Sequence, residues 1–410
     1  MRMLRLTLSI FSVVLIQMQS IAQSSLIKYK ATIKREDGRN IVFNIDESKI
    51  SNRLKWMIRN ADETIDINEI KVKGDSLLVS MPFFGAELFL KKTTEGYKGQ
   101  WKKAGSKGDV YMPLEIVRGT GRYMLPPQQS KMNLTGRWRA VFQNAQGEKS
   151  EAIAELKQVG PKITGSILTT TGDYRYLQGS VNKDSLVMST FDGTHAFYFS
   201  AQISKEGKLQ NGIFASGPTS LETWSAVRDA QVELDESDVL MRVKDPAQKL
   251  NFKFPDLDGN MVSINDVKFK GKVIVIQIMG SWCPNCMDET AFLSNYYREQ
   301  KDKGFEVIGL AYEYTTDFVK AKTSLSRFKN KFNVEYPMLI TGVISNDPLR
   351  TEKTLPQFTP IKAFPSMIIL GRDGTVRKTH AGYAGPATGV HHENFKKEFE
   401  AYISELLKES

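Results

Sequence analysis

From Ile27 to about Ala230, apolar and polar residues alternate in short runs broken by turn signals at Asp37-Gly38, Glu95-Gly96, Gln146-Gly147, Asp192-Gly193 and Glu206-Gly207. No long helical period interrupts this stretch, so it is expected to be β-rich. An internal repeat runs through it: Val72-Lys73-Gly74-Asp75-Ser76-Leu77 is echoed 109 residues later by Val181-Asn182-Lys183-Asp184-Ser185-Leu186, and Gly38 with Gly147 keeps the same offset. Two related β units are therefore expected, over 24–125 and 126–230, each large enough for a small sandwich or barrel. Asp192-Gly193-Thr194-His195 reads as a hairpin turn with an ordinary His.

The pattern then changes. Asp229 to Lys249 is charged and expected to be helical, with 231–245 as a linker. Phe252–Pro255 and Met261–Ile264 bracket a turn, as in a hairpin opening a domain over 246–410. Val273-Ile274-Val275-Ile276 is a continuous β-branched run of the kind a buried strand requires. A helix is expected over Met287–Lys301 and a second buried strand over Phe305–Ala311, which makes a β-α-β unit.

Composition narrows the class. With 41% hydrophobic and 25% charged residues, the chain is that of a soluble globular protein. Its formal charge of +10 comes from Lys and Arg scattered among Asp and Glu, so no nucleic-acid partner is expected. Arg2 and Arg5 precede the apolar run Leu6 to Ile16, and Ser20-Ile21-Ala22 supplies the small residues a signal peptidase reads. A signal peptide over 1–22, cut after Ala22, is expected, with retention as an uncleaved anchor as the alternative. The run falls short of the ~20 apolar residues a spanning helix needs, and no Cys follows it to be lipidated, so a periplasmic protein without stable membrane insertion is expected.

The chain has only two Cys, Cys283 and Cys286, in the run Ser281-Trp282-Cys283-Pro284-Asn285-Cys286 between the first strand and the helix. Structural staples would be spread at longer spacings, so this pair points to chemistry. At a helix start, unpaired N–H groups and the dipole favour a thiolate, which makes Cys283 the nucleophile. Cys286, one turn in, becomes the resolving thiol. A zinc half-site would need two further ligands, and the paired His391 and His392 lie more than a hundred residues away. No metal or other cofactor is expected.

Residues from about 246 to 410 resemble the TlpA/ResA-like branch of thioredoxin-fold proteins. The resemblance rests on Trp282-Cys283-Pro284-Asn285-Cys286, Ala363-Phe364-Pro365-Ser366 with the strand Met367 to Leu370, the turn Arg372-Asp373-Gly374, the segment Gly382 to Gly389 and a helix over Phe395 to Leu407. It implies a cis Phe364-Pro365 bond beside the Cys pair, leaving nearby backbone to pair with a substrate strand. It also implies an acidic residue near the thiols, for which Glu313 stands in place as a proton shuttle to Cys286. Where thioredoxins carry a buried Asp, this chain has Gln277, an amide that can only orient a hydrogen bond.

Three functions remain open. The first is an exported disulfide reductase acting on oxidised protein thiols, kept reduced by a membrane-bound electron donor and possible in cytochrome c biogenesis. The second is an oxidant or isomerase using the same Cys pair. The third is a binding protein whose β units capture a ligand or partner. The Thr323 to Ile361 insert is where partner specificity is expected.

Overall fold

A computed structural model describes residues 26–409 except 52, 83–84, 106–107, 123–129, 131 and 246–247. The expected signal peptide, 1–22, lies outside the described residues.

The alternation in the front half folds into two antiparallel sheets of nine strands each. The first runs from Ile27–Ile33 to Val110–Arg118, and its first strand pairs with both its second, Ile41–Ile50, and its last. Tyr29, Ala31 and Ile33 from that first strand face inward with Trp56 and Trp101, as period-two patterning requires. The second unit repeats the plan: Gly136–Gln143 takes the place of Ile27–Ile33, Lys162–Thr169 that of Arg53–Asn60 and Ser185–Phe191 that of Ser76–Ser80, each displaced by 109 residues. Its first strand again pairs with its second and its last.

The copies differ in closure. In the second unit Lys162–Gly165 also pairs with Leu177–Ser180, so the sheet closes into a barrel. The matching edges of the first unit, Arg53–Asn60 and Glu69–Lys73, are not joined, and that barrel is nearly closed. The second barrel is filled by side chains, with Phe199 stacked on Phe214 at 4.5 Å and Phe142 on Trp224 at 5.9 Å.

The two units also share packing. Phe191 of the second inserts into the first unit's core and stacks on Phe43 at 4.3 Å. Beside it, Asn60 donates to the Phe191 carbonyl at 2.8 Å, and Trp101 Nε1 donates to the Gly193 carbonyl at 2.8 Å.

The connector departs from expectation. The described residues between Asp229 and Lys249 form turns and extended backbone, with no helix. Here tertiary packing overrides composition. Val232 and Met241 are buried, Val243 bridges to Phe358, and Lys244 N donates to the Gln357 carbonyl at 2.8 Å.

The C-terminal region has a five-stranded sheet in the spatial order Met338–Ile340, Phe305–Ala311, Val273–Met279, Ser366–Leu370, Val376–Ala381. The first three are mutually parallel, and Ser366–Leu370 runs antiparallel to both of its neighbours, Val273–Met279 and Val376–Ala381. Helices α1 (Pro284–Gln300), α2 (Phe318–Lys331), α3 (Arg350–Thr354) and α4 (Val390–Lys408) accompany it. Every residue of Val273–Met279 is buried. Val273 and Val275 pack with Leu293 of α1, Leu325 of α2 and Ile403 of α4, while Ile274 and Ile276 pack on the other face with Phe252 and Phe358. Helix α1 begins at Pro284, three residues before the expected start, because Pro has no N–H to satisfy at a first helical position and the Cys283 side chain caps the Cys286 N–H. Helix α4 likewise begins five residues early, directly after Gly389, whose φ is +58°.

One buried cation ties the three units together. Arg175, from the second barrel, pairs with Glu63 of the first, with Asp192 of its own unit at 3.5 Å, and with Asp288 of α1 at 2.6 Å, all of these side chains being at most 13% exposed. Removing the guanidinium leaves buried carboxylates without their counter-charge. Arg175→Ala is expected to lower unfolding stability by about 3–5 kcal/mol, measured as a denaturant midpoint. Arg175→Lys should restore only part of the loss, since a point ammonium cannot span three carboxylates. A wild-type midpoint for Arg175→Ala would show that the junction adds nothing net.

Candidate active site

The strand Val273–Met279 ends at Gly280, and the chain turns through Ser281 and Trp282 into α1. This places Cys283 at the helix N-cap with its Sγ accepting from Cys286 N at 3.3 Å. Both Cys are free thiols and both are buried, Cys283 at 4% exposure and Cys286 at 0%. Burial pushes the Cys286 thiol well above its ordinary value, and Cys283 beside it adds to the effect.

The Phe364–Pro365 bond is cis. Phe364 meets the pair directly, its carbonyl accepting from the Cys283 thiol at 3.5 Å, and the Pro365 carbonyl accepts from Gly382 N at 2.8 Å. Trp282 stacks on Tyr314 at 4.9 Å and meets Phe364 edge-on at 5.4 Å, with its Nε1 held by the Tyr312 carbonyl. Pro284 opens α1 and is buried, and Asn285 projects toward Gly172 of the second barrel.

Glu313, expected as the proton shuttle, and Gln277, expected to orient a hydrogen bond, fall in different places. Glu313 is buried, but both its oxygens are engaged by Ser281, one accepting from its backbone N at 2.8 Å and the other from its hydroxyl at 2.6 Å. Burial raises its carboxyl against those two bonds. Its contacts anchor the turn that precedes Cys283. Gln277 lies beneath α1, where its Nε2 donates to Glu289 Oε2 at 2.8 Å and its Oε1 accepts from Thr290 at 3.1 Å.

Glu289 is the residue that sequence reasoning missed. It is fully buried, burial pushes its carboxyl up to about 8 against the bond from Gln277, and its Oε1 has no hydrogen-bond partner among the described residues. Its charge also acts on Cys286. A signal was present: Glu289 stands three residues after Cys286, and i,i+3 positions share a helix face. The missed junction residues Arg175 and Asp288 left no such trace, since their pairing spans 113 positions.

The His residues do not join this site. His195 Nδ1 lies 3.1 Å from Asp192, and His391 lies between Arg137 and Glu155. Among the described residues no cluster of three or more His, Cys, Asp or Glu is arranged to hold a metal ion.

Residues 242–394 match the Redoxin family model. The chain is 25% identical over 156 residues to the thiol-disulfide oxidoreductase ResA of Bacillus thuringiensis subsp. konkukian, a match covering 38% of this chain and 75% of that protein. It is 22% identical over 132 residues to ResA of Bacillus subtilis, covering 32% and 64%. Among solved structures, a thiol:disulfide interchange protein of the thioredoxin family from Chlorobium tepidum aligns with a TM-score of 0.31 and 17% identity, over 40% of this chain and 99% of that one. With the dithiol turn in its strand-to-helix setting, the Redoxin match and the likeness to the ResA proteins support a TlpA/ResA-like thiol-disulfide oxidoreductase domain in the C-terminal part of the chain.

Proposed function

We propose that the protein is an exported disulfide reductase in which Cys283 attacks, Cys286 resolves and Glu289 takes the Cys286 proton. The observation that carries this reading is the dithiol at the start of α1, with Cys283 at the N-cap and a fully buried Glu289, held by Gln277 at 2.8 Å, one turn beyond Cys286. In the first step the Cys283 thiolate attacks a substrate disulfide, forming a mixed disulfide and releasing one substrate thiolate, which takes a proton from solvent. Glu289 then removes the Cys286 proton, and the Cys286 sulfur attacks Cys283. The second substrate thiolate leaves, two electrons have passed to the substrate, and Cys283–Cys286 is a disulfide. An external dithiol, for which a membrane-bound donor is the natural class in an exported setting, returns the pair to thiols. Gln277 orients Glu289 and Glu313 fixes the turn, while Pro365 and Phe364 border the thiols on the side where substrate backbone would lie.

The same electrostatics supports the reductive direction. Strong oxidants owe their potential to a stabilised reduced form. Here the surroundings of Cys286 disfavour its thiolate: burial comes first, and the charges acting on it are Cys283 and Glu289. No thiolate is stabilised at this sulfur, which is consistent with a reductant and unlike a strong oxidant. Export rests on the sequence features of residues 1–22, Arg2 and Arg5 before the apolar run and Ser20-Ile21-Ala22 after it.

The equilibrium potential of the Cys283/Cys286 couple tests the direction. A value near or below about −250 mV is expected, and one near about −120 mV would make the protein an oxidant. In the second experiment, Cys283→Ser should abolish turnover of a model disulfide, while Cys286→Ser should accumulate a mixed disulfide visible by mass spectrometry. Preferential alkylation of Cys286 over Cys283 at limiting iodoacetamide would reverse the two roles.

Glu289 gives a pH signature. As a base it works only when ionised, so the resolving step should speed up as pH rises through about 8. Glu289→Gln should flatten that limb and slow resolution by roughly 10²-fold. Stability should move the opposite way. The folded-state value lies above the ordinary 4.5, so the stabilising contribution of the neutral acid is complete below about 4.5 and is lost as pH rises through about 8. Relative to wild type, Glu289→Gln should therefore gain stability between these limits. Parallel pH profiles for the two proteins would remove Glu289 from the mechanism.

A further inference from the structure

A different β unit stands on each flank of the dithiol turn, and the two flanks are not equivalent. On the side of the Gly382–Gly385 loop, the turn of the second barrel around Thr170–Gly172 is fitted into the cleft. A Cβ at Gly172 would stand 1.7 Å from Asn285 Nδ2, and one at Gly382 would stand 2.8 Å from the Thr171 backbone. Gly385 N donates to Asp173 at 2.7 Å, and Arg175 clamps Asp288 just behind. Contacts this close leave no room for another chain between Asn285 and the Gly382 loop.

On the other flank, beyond Trp282, the first barrel stands away from α2. A cavity of about 230 Å³ lies there, with Met81 and Ala104 of the first barrel on one wall and Trp282 and Tyr314 on the other. It is smaller than the roughly 300–1,000 Å³ of small-molecule sites, a size suited to a side chain of a polypeptide. Much of its lining is apolar or aromatic, with the hydroxyls of Ser281, Thr315 and Ser324 among it, and Trp282 joins it directly to Cys283. Lys320 and Arg327 of α2 also line it, both exposed, and neither has an ionic partner among the described residues. The carboxylate in the lining, Glu313, has both oxygens bonded to Ser281. With two cations against that one carboxylate, the lining is net positive.

We propose that this slot between the first barrel and Trp282 is the substrate-recognition subsite, taking an apolar side chain from a polypeptide segment next to its disulfide, with a carboxylate on the same segment paired to Lys320 or Arg327. The inference rests on the exchange chemistry assigned to Cys283 and names its substrate: an extended segment with apolar and acidic residues beside its cysteine. The second barrel closes the opposite approach, so the substrate enters past Trp282.

The test uses the full chain and two disulfide-closed peptides that differ only in carrying Phe-Glu or Phe-Lys beside the attacked cysteine, with hydroxyethyl disulfide as a small neutral control. Wild type should reduce the Phe-Glu peptide with a kcat/KM about tenfold or more above the Phe-Lys peptide, the difference lying in KM. Lys320→Glu combined with Arg327→Glu, both at exposed positions, should invert that preference. Ala104→Trp should fill the slot and depress turnover of both peptides. Both variants should keep the wild-type rate on hydroxyethyl disulfide. Equal rates on the two peptides, or a charge-reversed variant with unchanged preference, would overturn the slot. Failure of wild type to reduce hydroxyethyl disulfide would overturn the exchange reading itself.

Discussion

Arg175 is the interaction on which the arrangement of the whole molecule turns. A guanidinium buried away from water is tolerated only where anions meet it, and here the anions come from three places: the first barrel, its own barrel and the active-site helix. Asp288 stands two residues beyond Cys286, so the ionic cluster that joins the units is built into the helix that carries the dithiol. The angular fork of Arg suits this position, since each of its nitrogens reaches a different carboxylate. The β units are thereby held against the redox turn in a fixed relation to it.

The chemistry of the turn is governed by removal from water. Cys286, Gln277 and Glu289 are all fully buried, and within that setting the acid and the thiol each resist ionisation. Burial draws the carboxyl up toward the thiol's range, so it takes the thiol's proton at less cost than an exposed carboxylate would, which is the property a resolving thiol needs. The amide of Gln277 gives the carboxylate a fixed partner while its second oxygen has none among the described residues. Glu313, also buried, serves a different end, since its two bonds to Ser281 fix the backbone that feeds Cys283 into the helix.

The internal repeat shows how one strand plan serves two purposes. The second copy closes through Lys162–Gly165 and Leu177–Ser180, and the turn that follows Lys162–Thr169 reaches the dithiol. Gly172 is required at that point, with φ of +141° and Asn285 against it. The first copy leaves the corresponding edges unjoined and presents Met81 and Ala104 toward Trp282 across a gap. Pairing of Phe191 with Phe43 binds the copies into a single support.

Local sequence determined a good deal. Period-two alternation and Gly-containing turns marked the β-rich half, and the 109-residue offset announced a repeated unit, because strand patterning and turn chemistry act over a few residues. The strand Phe305–Ala311 was legible to the residue, being apolar but for Glu306 between Gly304 and Tyr312. The Cys pair declared its chemistry by spacing alone. Three matters were settled only by the tertiary structure. The connector after Asp229 looked helical from its charge, yet burial of Val232 and Met241 and pairing with Phe358 hold it extended. Glu289 shares a helix face with Cys286, but whether that face meets water or the sheet depends on how α1 packs, and only burial makes the carboxyl a base near neutrality. The union of Arg175 with Glu63 and Asp288 joins residues more than a hundred positions apart. No local pattern encodes such a contact, because its energy arises when folding removes the charges from water together.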